Sequence, residues 1–198
     1  MQKRSEDTYE RILKEASILF AKKGYAATSV AAICEKAQVS KGAFYHHFPS
    51  KQDVFLTLLD KWLAHIEDGL KKLQLQSKDV PTAIMLMADT VGSLMQETDV
   101  QLSLFLEFWT QAIRDPQIWD IAFAPYRRFQ SYFSELVSEG VKENSLKNID
   151  PELGGKVIVS LALGLIMMGI FEQTSINWKA HTTGSFNLLL NGIMRSVG

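Results

Sequence analysis

The chain has 198 residues, a net charge of −1 and 46 % hydrophobic residues, so it is long enough to bury a core without disulfide support. Its single cysteine, Cys34, cannot form an internal disulfide, and no secretory signal is visible, which predicts a cytoplasmic protein. The longest apolar stretch, residues 157–171, is shorter than the roughly 20 residues of a membrane-spanning helix, so we expect a buried helix and no membrane partner.

The first predicted element is an amphipathic helix over residues 9–23, in which apolar residues recur at intervals of three and four. Gly24 follows it and is expected to adopt the left-handed conformation that ends many helices. Thr28 then offers an N-cap for a short second helix over residues 29–37. The buried side of that helix is expected to comprise Val30, Ile33, Cys34 and Ala37.

Two further helices follow after short connections. Ser40 is placed to cap a third helix that begins at Lys41. Beyond a second break, Ser50 and Asp53 have the spacing of a capping box, which predicts a long fourth helix over residues 51–72. Two short helices, joined by three residues, therefore lie between two longer ones.

Residues 29–48 have the pattern of a helix-turn-helix, whose second helix enters the major groove of DNA. Residues 1–51 hold nine Lys and Arg against five Asp and Glu, a net charge of +4, whereas residues 52–198 carry −5. A merely solvated basic face is the alternative explanation of that charge. Small, cationic and hydrogen-bonding side chains suit contacts to phosphates and base edges. The predicted DNA-binding residues are Thr28, Ser29, Ser40, Lys41, Gly42, Ala43, Tyr45, His46, His47 and Lys51.

The spacing of these and neighbouring residues matches a known DNA-binding signature. The series is Phe20-x3-Gly24-Tyr25-x2-Thr28-Ser29-Val30-x2-Ile33-x3-Ala37-x-Val39-Ser40-Lys41-Gly42-x-Phe44-Tyr45-x-His47-Phe48-x2-Lys51. It resembles the signature of the TetR (tetracycline repressor) family over roughly residues 6–66. The resemblance implies an all-helical homodimer, with a helix-turn-helix domain over residues 6–66 and a domain for ligand sensing and dimerisation over residues 67–198. It also implies binding to palindromic operators, repression of transcription and release of the DNA when a small molecule binds.

One position departs from the family pattern. Gln38 lies in the turn between the two short helices, where the family commonly has glycine. If Gln38 is left-handed, the strain costs roughly 1 kcal/mol. This departure concerns local stability and leaves the assignment intact. Cys34 stands where a small residue is usual and is expected in the core.

The rest of the chain is also predicted to be helical. Asp-Pro pairs at residues 115–116 and 150–151 have the order of an N-cap followed by a first-turn proline. Pro125 is expected to begin or bend a helix that runs to Val141. The other expected helices cover residues 80–96, 102–114, 151–173 and 182–197. The whole chain should therefore be all-α, with about nine helices.

The last two predicted helices are candidates for a dimer interface. Residues 157–171 are apolar nearly all round and would expose a large patch unless something covered it. We favour a second copy of the chain, because reading two successive major grooves needs two helix-turn-helix motifs roughly 34–36 Å apart. An intramolecular core is the alternative. The predicted interface residues are Leu161, Gly164, Met168, Phe186, Leu190 and Ile193.

A cluster of aromatic and methionine side chains predicts an apolar ligand pocket in the C-terminal domain. The predicted pocket residues are Met85, Phe105, Phe108, Trp109, Trp119 and Tyr126. For each single side chain, an ordinary core position is the alternative. The nearby Glu107, Gln111 and Arg114 fit either a polar pocket wall or a solvated helix face, so the charge of the ligand stays open.

The sequence offers little for an enzyme, a cofactor or a metal site. It contains no phosphate-binding glycine loop, nucleophile elbow or zinc-helix signature. His46 and His47 are adjacent, so on a helix they point about 100° apart and make poor joint metal ligands. We therefore expect a DNA-binding regulator whose partners are double-stranded operator DNA, a second copy of the chain and an unidentified small-molecule effector. An activator, or a regulator that responds to a protein partner, is the alternative on the same scaffold.

Overall fold

The structure, a computed structural model, describes residues 2–96, 116–171 and 176–194, which form eight α-helices. They are α1 (Gln2–Lys23), α2 (Val30–Ala37), α3 (Lys41–His47), α4 (Lys51–Gln76), α5 (Val80–Gln96), α6 (Pro116–Lys142), α7 (Pro151–Phe171) and α8 (Trp178–Ile193). Within these residues the β-type pairing consists of an isolated antiparallel bridge between Leu146 and Met194. The predicted all-α fold is confirmed, while the helix predicted over residues 102–114 lies outside the described part of the chain.

The described residues form two compact units, and α4 contributes to both. The first unit holds the residues up to His65 together with residues 116–122. The second holds residues 66–96 and the described residues from Phe123 onward. The first unit therefore includes a short piece of α6 that the sequence analysis assigned to the C-terminal domain.

The first unit is built on α1, which contacts both α2 and α3. Phe20 of α1 also meets Phe55 of α4 edge to face, with ring centroids 5.6 Å apart. On α2 the predicted buried side chains Ile33, Cys34 and Ala37 are buried, whereas Val30 is only partly covered. Burial of these apolar faces, at about 25 cal/mol per Å² of apolar surface, holds the short helices α2 and α3 in place.

The second unit packs α5 against α7 and α8 around one apolar core. Its most buried large side chains include Ile84 of α5, Leu136 of α6, Ile158 of α7 and Leu190 of α8. At Gly155, α7 comes so close to α6 that an added Cβ would lie 2.6 Å from the backbone nitrogen of Ser134. The crossing of these two helices therefore depends on the missing side chain.

Several helix ends differ from the predicted ones. α1 begins at Gln2, seven residues before the predicted start, and α4 runs on to Gln76. α8 begins at Trp178 behind the N-cap Asn177, whose side-chain oxygen accepts a hydrogen bond from the Ala180 backbone nitrogen at 3.0 Å. The predicted start at Thr182 was wrong, since that side chain is fully buried within α8. Pro125 lies inside α6 without ending it.

The turn between α2 and α3 has Gln38 in the left-handed conformation, with φ 53° and ψ 49°, which is the condition under which the sequence analysis expected strain. Gln38→Gly is expected to raise the free energy of unfolding by about 1 kcal/mol, because glycine adopts this conformation without a Cβ clash. Chemical denaturation measures the change. Gln38→Ala is the matched control, since alanine keeps the Cβ and the strain. Equal stabilisation by both substitutions would mean that the glutamine side chain, and not its backbone, causes the penalty.

Candidate nucleic-acid interface

The two short helices are each capped by an exposed serine. The Ser29 hydroxyl oxygen accepts a hydrogen bond from the Ala32 backbone nitrogen at 3.1 Å. The Ser40 hydroxyl oxygen accepts one from the Ala43 backbone nitrogen at 3.0 Å. Because each hydroxyl acts as an acceptor towards its own helix, its hydrogen stays available for an acceptor outside the protein.

Thr28 is not the cap of α2 that the sequence analysis predicted. Its side chain is only 2 % exposed, and its hydroxyl donates to the Gly24 carbonyl oxygen at 2.8 Å. Its backbone N–H donates to the Tyr25 carbonyl oxygen at 3.2 Å. Both donors of Thr28 therefore serve the turn that follows α1. Thr28 stabilises this turn, and its side chain is not available to a phosphate.

α3 is anchored on one side and exposed on the other. Phe44 and Phe48 are buried, with ring centroids 6.1 Å apart, and Phe48 also stacks on Tyr9 of α1 at 4.9 Å. On the opposite side, Tyr45 is 53 % exposed. The other exposed members of the predicted set on this helix are Lys41, Gly42 and His46.

The two remaining predicted residues of α3 are partly covered. Ala43 supplies the N–H that Ser40 caps, and the His47 ring lies 6.1 Å from the Tyr9 ring. An added Cβ at Gly42 would meet no atom closer than the Ser40 hydroxyl oxygen at 3.8 Å. Packing within the unit therefore does not require a glycine there, whereas close approach of a ligand to the backbone benefits from one.

Lys51 begins α4 and is engaged inside the unit. Its ammonium donates to the carbonyl oxygens of Tyr25 at 2.6 Å and Thr28 at 2.8 Å. The predicted capping box next to it is present in a modified form. The Ser50 hydroxyl accepts from the Asp53 backbone nitrogen at 3.2 Å and donates to the Asp53 carboxylate at 2.6 Å.

Cys34 lies behind this surface, on the buried side of α2. Burial raises the pKa of its thiol above the ordinary value, although the nearby Lys41 ammonium acts in the opposite direction. The thiol therefore stays protonated at neutral pH. A protonated, buried thiol is a core group and not a nucleophile.

The predicted ligand-pocket residues are only partly within the described chain. Met85 and Tyr126 are half-buried and pack against the core of the second unit. The Tyr126 hydroxyl accepts a hydrogen bond from the Gln130 side chain at 3.0 Å. Phe105, Phe108 and Trp109 lie outside the described residues, and so does the Trp119 side chain, although its backbone belongs to α6.

A polar network in the second unit was missed by the sequence analysis. The Tyr132 hydroxyl donates to the Gln74 side-chain oxygen at 2.8 Å, and the Gln74 side-chain nitrogen donates to the Glu139 carboxylate at 2.9 Å. Burial, together with the Glu139 and Glu67 carboxylates, raises the pKa of Tyr132 to about 12. The phenol therefore remains a donor throughout the physiological pH range.

The predicted dimer residues divide into core and surface. Phe186 and Leu190 of α8 are 3 % and 2 % exposed and belong to the core of their own chain, which favours the intramolecular alternative for these two side chains. Leu161 and Ile193 are partly covered by the same core. Gly164 and Met168 are exposed on α7. Val157 and Met167, within the apolar stretch of the sequence, are also exposed, and so are Leu153 and Leu188, which were not among the predicted interface residues.

α7 is longer than the apolar stretch seen in the sequence, because it begins at Pro151. By length and composition alone, Pro151–Gly169 could cross a membrane, a property shared by the core helices of many other proteins. Only 22 % of this stretch is buried within the chain. The alternative of an intramolecular core therefore does not account for this helix as a whole, and the apolar face of α7 needs another cover.

Two known families match this chain. Residues 12–58 match the family described as "Bacterial regulatory proteins, tetR family", and residues 82–177 match "BetI-type transcriptional repressor, C-terminal". The chain is also 23 % identical over 201 residues to the HTH-type transcriptional regulator UidR of Escherichia coli K12. That similarity covers 98 % of this chain and 96 % of UidR.

Solved structures share the fold. A putative TetR-family transcriptional regulator from Mesorhizobium loti is 19 % identical, with a TM-score of 0.81 and coverage of 97 % of this chain and 99 % of that one. A putative transcriptional regulator from Saccharomonospora viridis, solved in complex with choline, is 20 % identical, with a TM-score of 0.77 and coverage of 96 % and 100 %. Together with the two family matches, these similarities lead to one conclusion: the chain belongs to the TetR family and is a DNA-binding transcriptional regulator.

Proposed function

We propose that the protein is a dimeric repressor that binds a palindromic operator through α2 and α3 and releases it when a small molecule binds to the second unit. The observation that carries the DNA-binding part is the two-sided character of α3. Phe44 and Phe48 fix its inner side in the core, while Lys41, Tyr45 and His46 face outward. A rigid helix with exposed polar side chains is the element that reads base edges in the major groove.

Each exposed residue has a role that its geometry suits. Ser29 and Ser40 donate their hydroxyl hydrogens to phosphates, since their oxygens already accept from Ala32 and Ala43. Lys41 supplies a positive charge at the start of α3, and Tyr45 supplies a hydroxyl and an aromatic edge further along it. Gly42 leaves room for the DNA, which explains a glycine that packing does not require.

The dimer is proposed from the exposed apolar face of α7. Val157, Gly164 and Met168 recur along this face at intervals of seven and four residues, as one helix side requires. A second copy that covers the face would remove a large apolar patch from water and bring two copies of α3 to one DNA duplex. Twofold symmetry of the protein then requires a palindromic operator, with half-sites roughly 34–36 Å apart.

Repression and ligand release are proposed from the relatives. The C-terminal match is to a repressor type, and the Saccharomonospora viridis structure contains choline. Choline is therefore the first probe for the second unit, where Tyr126 and Phe129 provide aromatic faces of the kind that attract quaternary ammonium groups. The ligand acts by stabilising a dimer in which the two copies of α3 no longer match the operator. α4 carries the change, because it is one helix with residues in both units.

Operator binding is tested first by selecting duplexes from random sequence with the purified protein and measuring their affinity by fluorescence anisotropy across a salt series. We expect a palindromic sequence whose binding weakens with salt. The double variant Lys41→Ala, Tyr45→Ala should bind it at least about 100-fold more weakly, since each lost contact costs about 1–3 kcal/mol in each half-site. Lys142→Ala, which removes an exposed charge from α6, is the control and should bind like the wild type.

Two outcomes would count against this function. If no sequence is enriched, or if the double variant binds the selected duplex as tightly as Lys142→Ala does, α3 does not read the DNA.

Choline added to the preformed complex is expected to release the DNA from the protein. If choline leaves the complex intact while another small molecule releases it, the repressor assignment stands and choline is rejected as the effector. A selected site upstream of a promoter that raises transcription would instead identify an activator.

A further inference from the structure

The first residue of α4 is a lysine whose charge is satisfied inside the protein. Lys51 donates two short hydrogen bonds from its ammonium, 2.6 Å to the Tyr25 carbonyl oxygen and 2.8 Å to the Thr28 carbonyl oxygen. The same ammonium lies 4.1 Å from the centroid of the Tyr25 ring. Two carbonyl dipoles and an aromatic face thus point at one cation, and all three interactions favour the charged group.

The partners of this ammonium are themselves fixed in place. The Tyr25 ring packs against Phe55 of α4, with centroids 4.8 Å apart, and against Phe20 of α1 at 5.4 Å. The Tyr25 carbonyl oxygen accepts a second hydrogen bond, from the Thr28 backbone nitrogen. Lys51 therefore docks onto a turn that is tied to α1 and α4 at the same time.

This turn sets the position of the first phosphate-binding group. Residues 25–28 lead directly into Ser29, the N-cap of α2, whose hydroxyl faces outward. Neither carbonyl that Lys51 holds lies in a helix, so neither is fixed by a helical hydrogen bond. Loss of the ammonium would remove one hydrogen bond from each of these carbonyls and would loosen the residues that immediately precede Ser29.

We propose that Lys51 is a positioning residue: it holds the Tyr25–Thr28 turn, and so places Ser29 against the DNA backbone, without contacting a phosphate itself. The inference rests on the proposed operator binding and replaces the direct DNA contact predicted for Lys51 from the sequence. The proposal assigns different roles to two lysines that are ten residues apart. Lys41 is exposed, whereas the Lys51 ammonium is hydrogen-bonded within the protein.

The dependence of affinity on salt distinguishes the two roles. A lysine that contacts a phosphate releases a counterion, so its removal lowers the slope of log affinity against log salt by about 0.9 per contact. Lys51→Met should weaken binding to the selected duplex about tenfold with an unchanged slope, since it removes charged hydrogen bonds within the protein only. Lys51→Arg, which can donate to both carbonyls, should recover most of the affinity. Lys41→Met is the comparison and should lower the slope.

A reduced slope for Lys51→Met, equal to that of Lys41→Met, would overturn the proposal, and so would wild-type affinity of Lys51→Met.

Hydrogen exchange of the free protein tests the positioning role without DNA. Amides of residues 26–33 should exchange faster in Lys51→Met and at the wild-type rate in Lys51→Arg. Unchanged exchange would refute the positioning role. Failure of the wild type to select any duplex would instead count against the proposed function. Should Lys51→Met not fold, Lys51→Gln, which keeps a neutral donor, takes its place.

Discussion

Gly155→Ala is expected to destabilise the second unit by about 3 kcal/mol or more, the upper range for overpacking a core. The added Cβ would lie 2.6 Å from the Ser134 backbone nitrogen and 3.0 Å from the Gln130 carbonyl oxygen, and it would also meet the Ser134 hydroxyl. Backbone atoms of α6 cannot rotate away as a flexible side chain can. The two helices must therefore move apart, which opens the core beside Ile158.

Chemical denaturation of Gly155→Ala measures this loss, with Gly69→Ala as the matched control. Gly69 also lies within a helix, but an added Cβ there would have no atom within 4 Å. The control should gain up to about 1 kcal/mol from the higher helix propensity of alanine. If both variants change stability in the same direction and by the same amount, α6 and α7 do not cross as closely as Gly155 indicates.

Met168→Glu is expected to convert the protein into a monomer and to weaken operator binding about 100-fold or more, because one half-site then binds without the other. Met168 is 45 % exposed on the apolar face of α7. In a dimer that covers this face, the new carboxylate would be buried without a partner, a costly arrangement. Sedimentation velocity measures the mass, and anisotropy with the selected duplex measures the affinity.

Leu75→Glu provides the control for this substitution. Leu75 lies near the end of α4 and is 86 % exposed, so it places the same charge on an apolar surface residue elsewhere. It should leave both the mass and the affinity unchanged. A dimer that persists in Met168→Glu at micromolar concentration would mean that another surface joins the two copies.

Features that depend on a few neighbouring residues were predictable from the sequence. The cap at Ser40 and the glycine stop at Gly24 follow from local conformational preferences, and the structure confirms both of them. The family resemblance drew attention to Gln38, where glycine is common, and this residue is left-handed. The start of α2 was placed one residue early for an equally local reason. Thr28 and Ser29 are both good caps, and sequence alone does not show that the Thr28 hydroxyl bonds back to Gly24.

Features that depend on distant residues were not predictable. The two carbonyl partners of Lys51 precede it by 26 and 23 residues, so the sequence around Lys51 does not show them. That local sequence fits a phosphate contact as well as an internal one. Likewise, an apolar stripe on α8 does not reveal whether it faces α5 or a second copy. Phe186 and Leu190 face the core because α8 packs against α5, which only the tertiary structure shows.

The protected state of Cys34 limits the kinds of signal that this regulator can receive. It is the single cysteine of the chain, and it lies buried with a thiol that stays protonated. Oxidants and alkylating agents that attack exposed thiolates therefore do not react rapidly with Cys34. With its single thiol shielded in this way, the chain lacks the exposed thiolate through which a protein senses oxidants by cysteine chemistry.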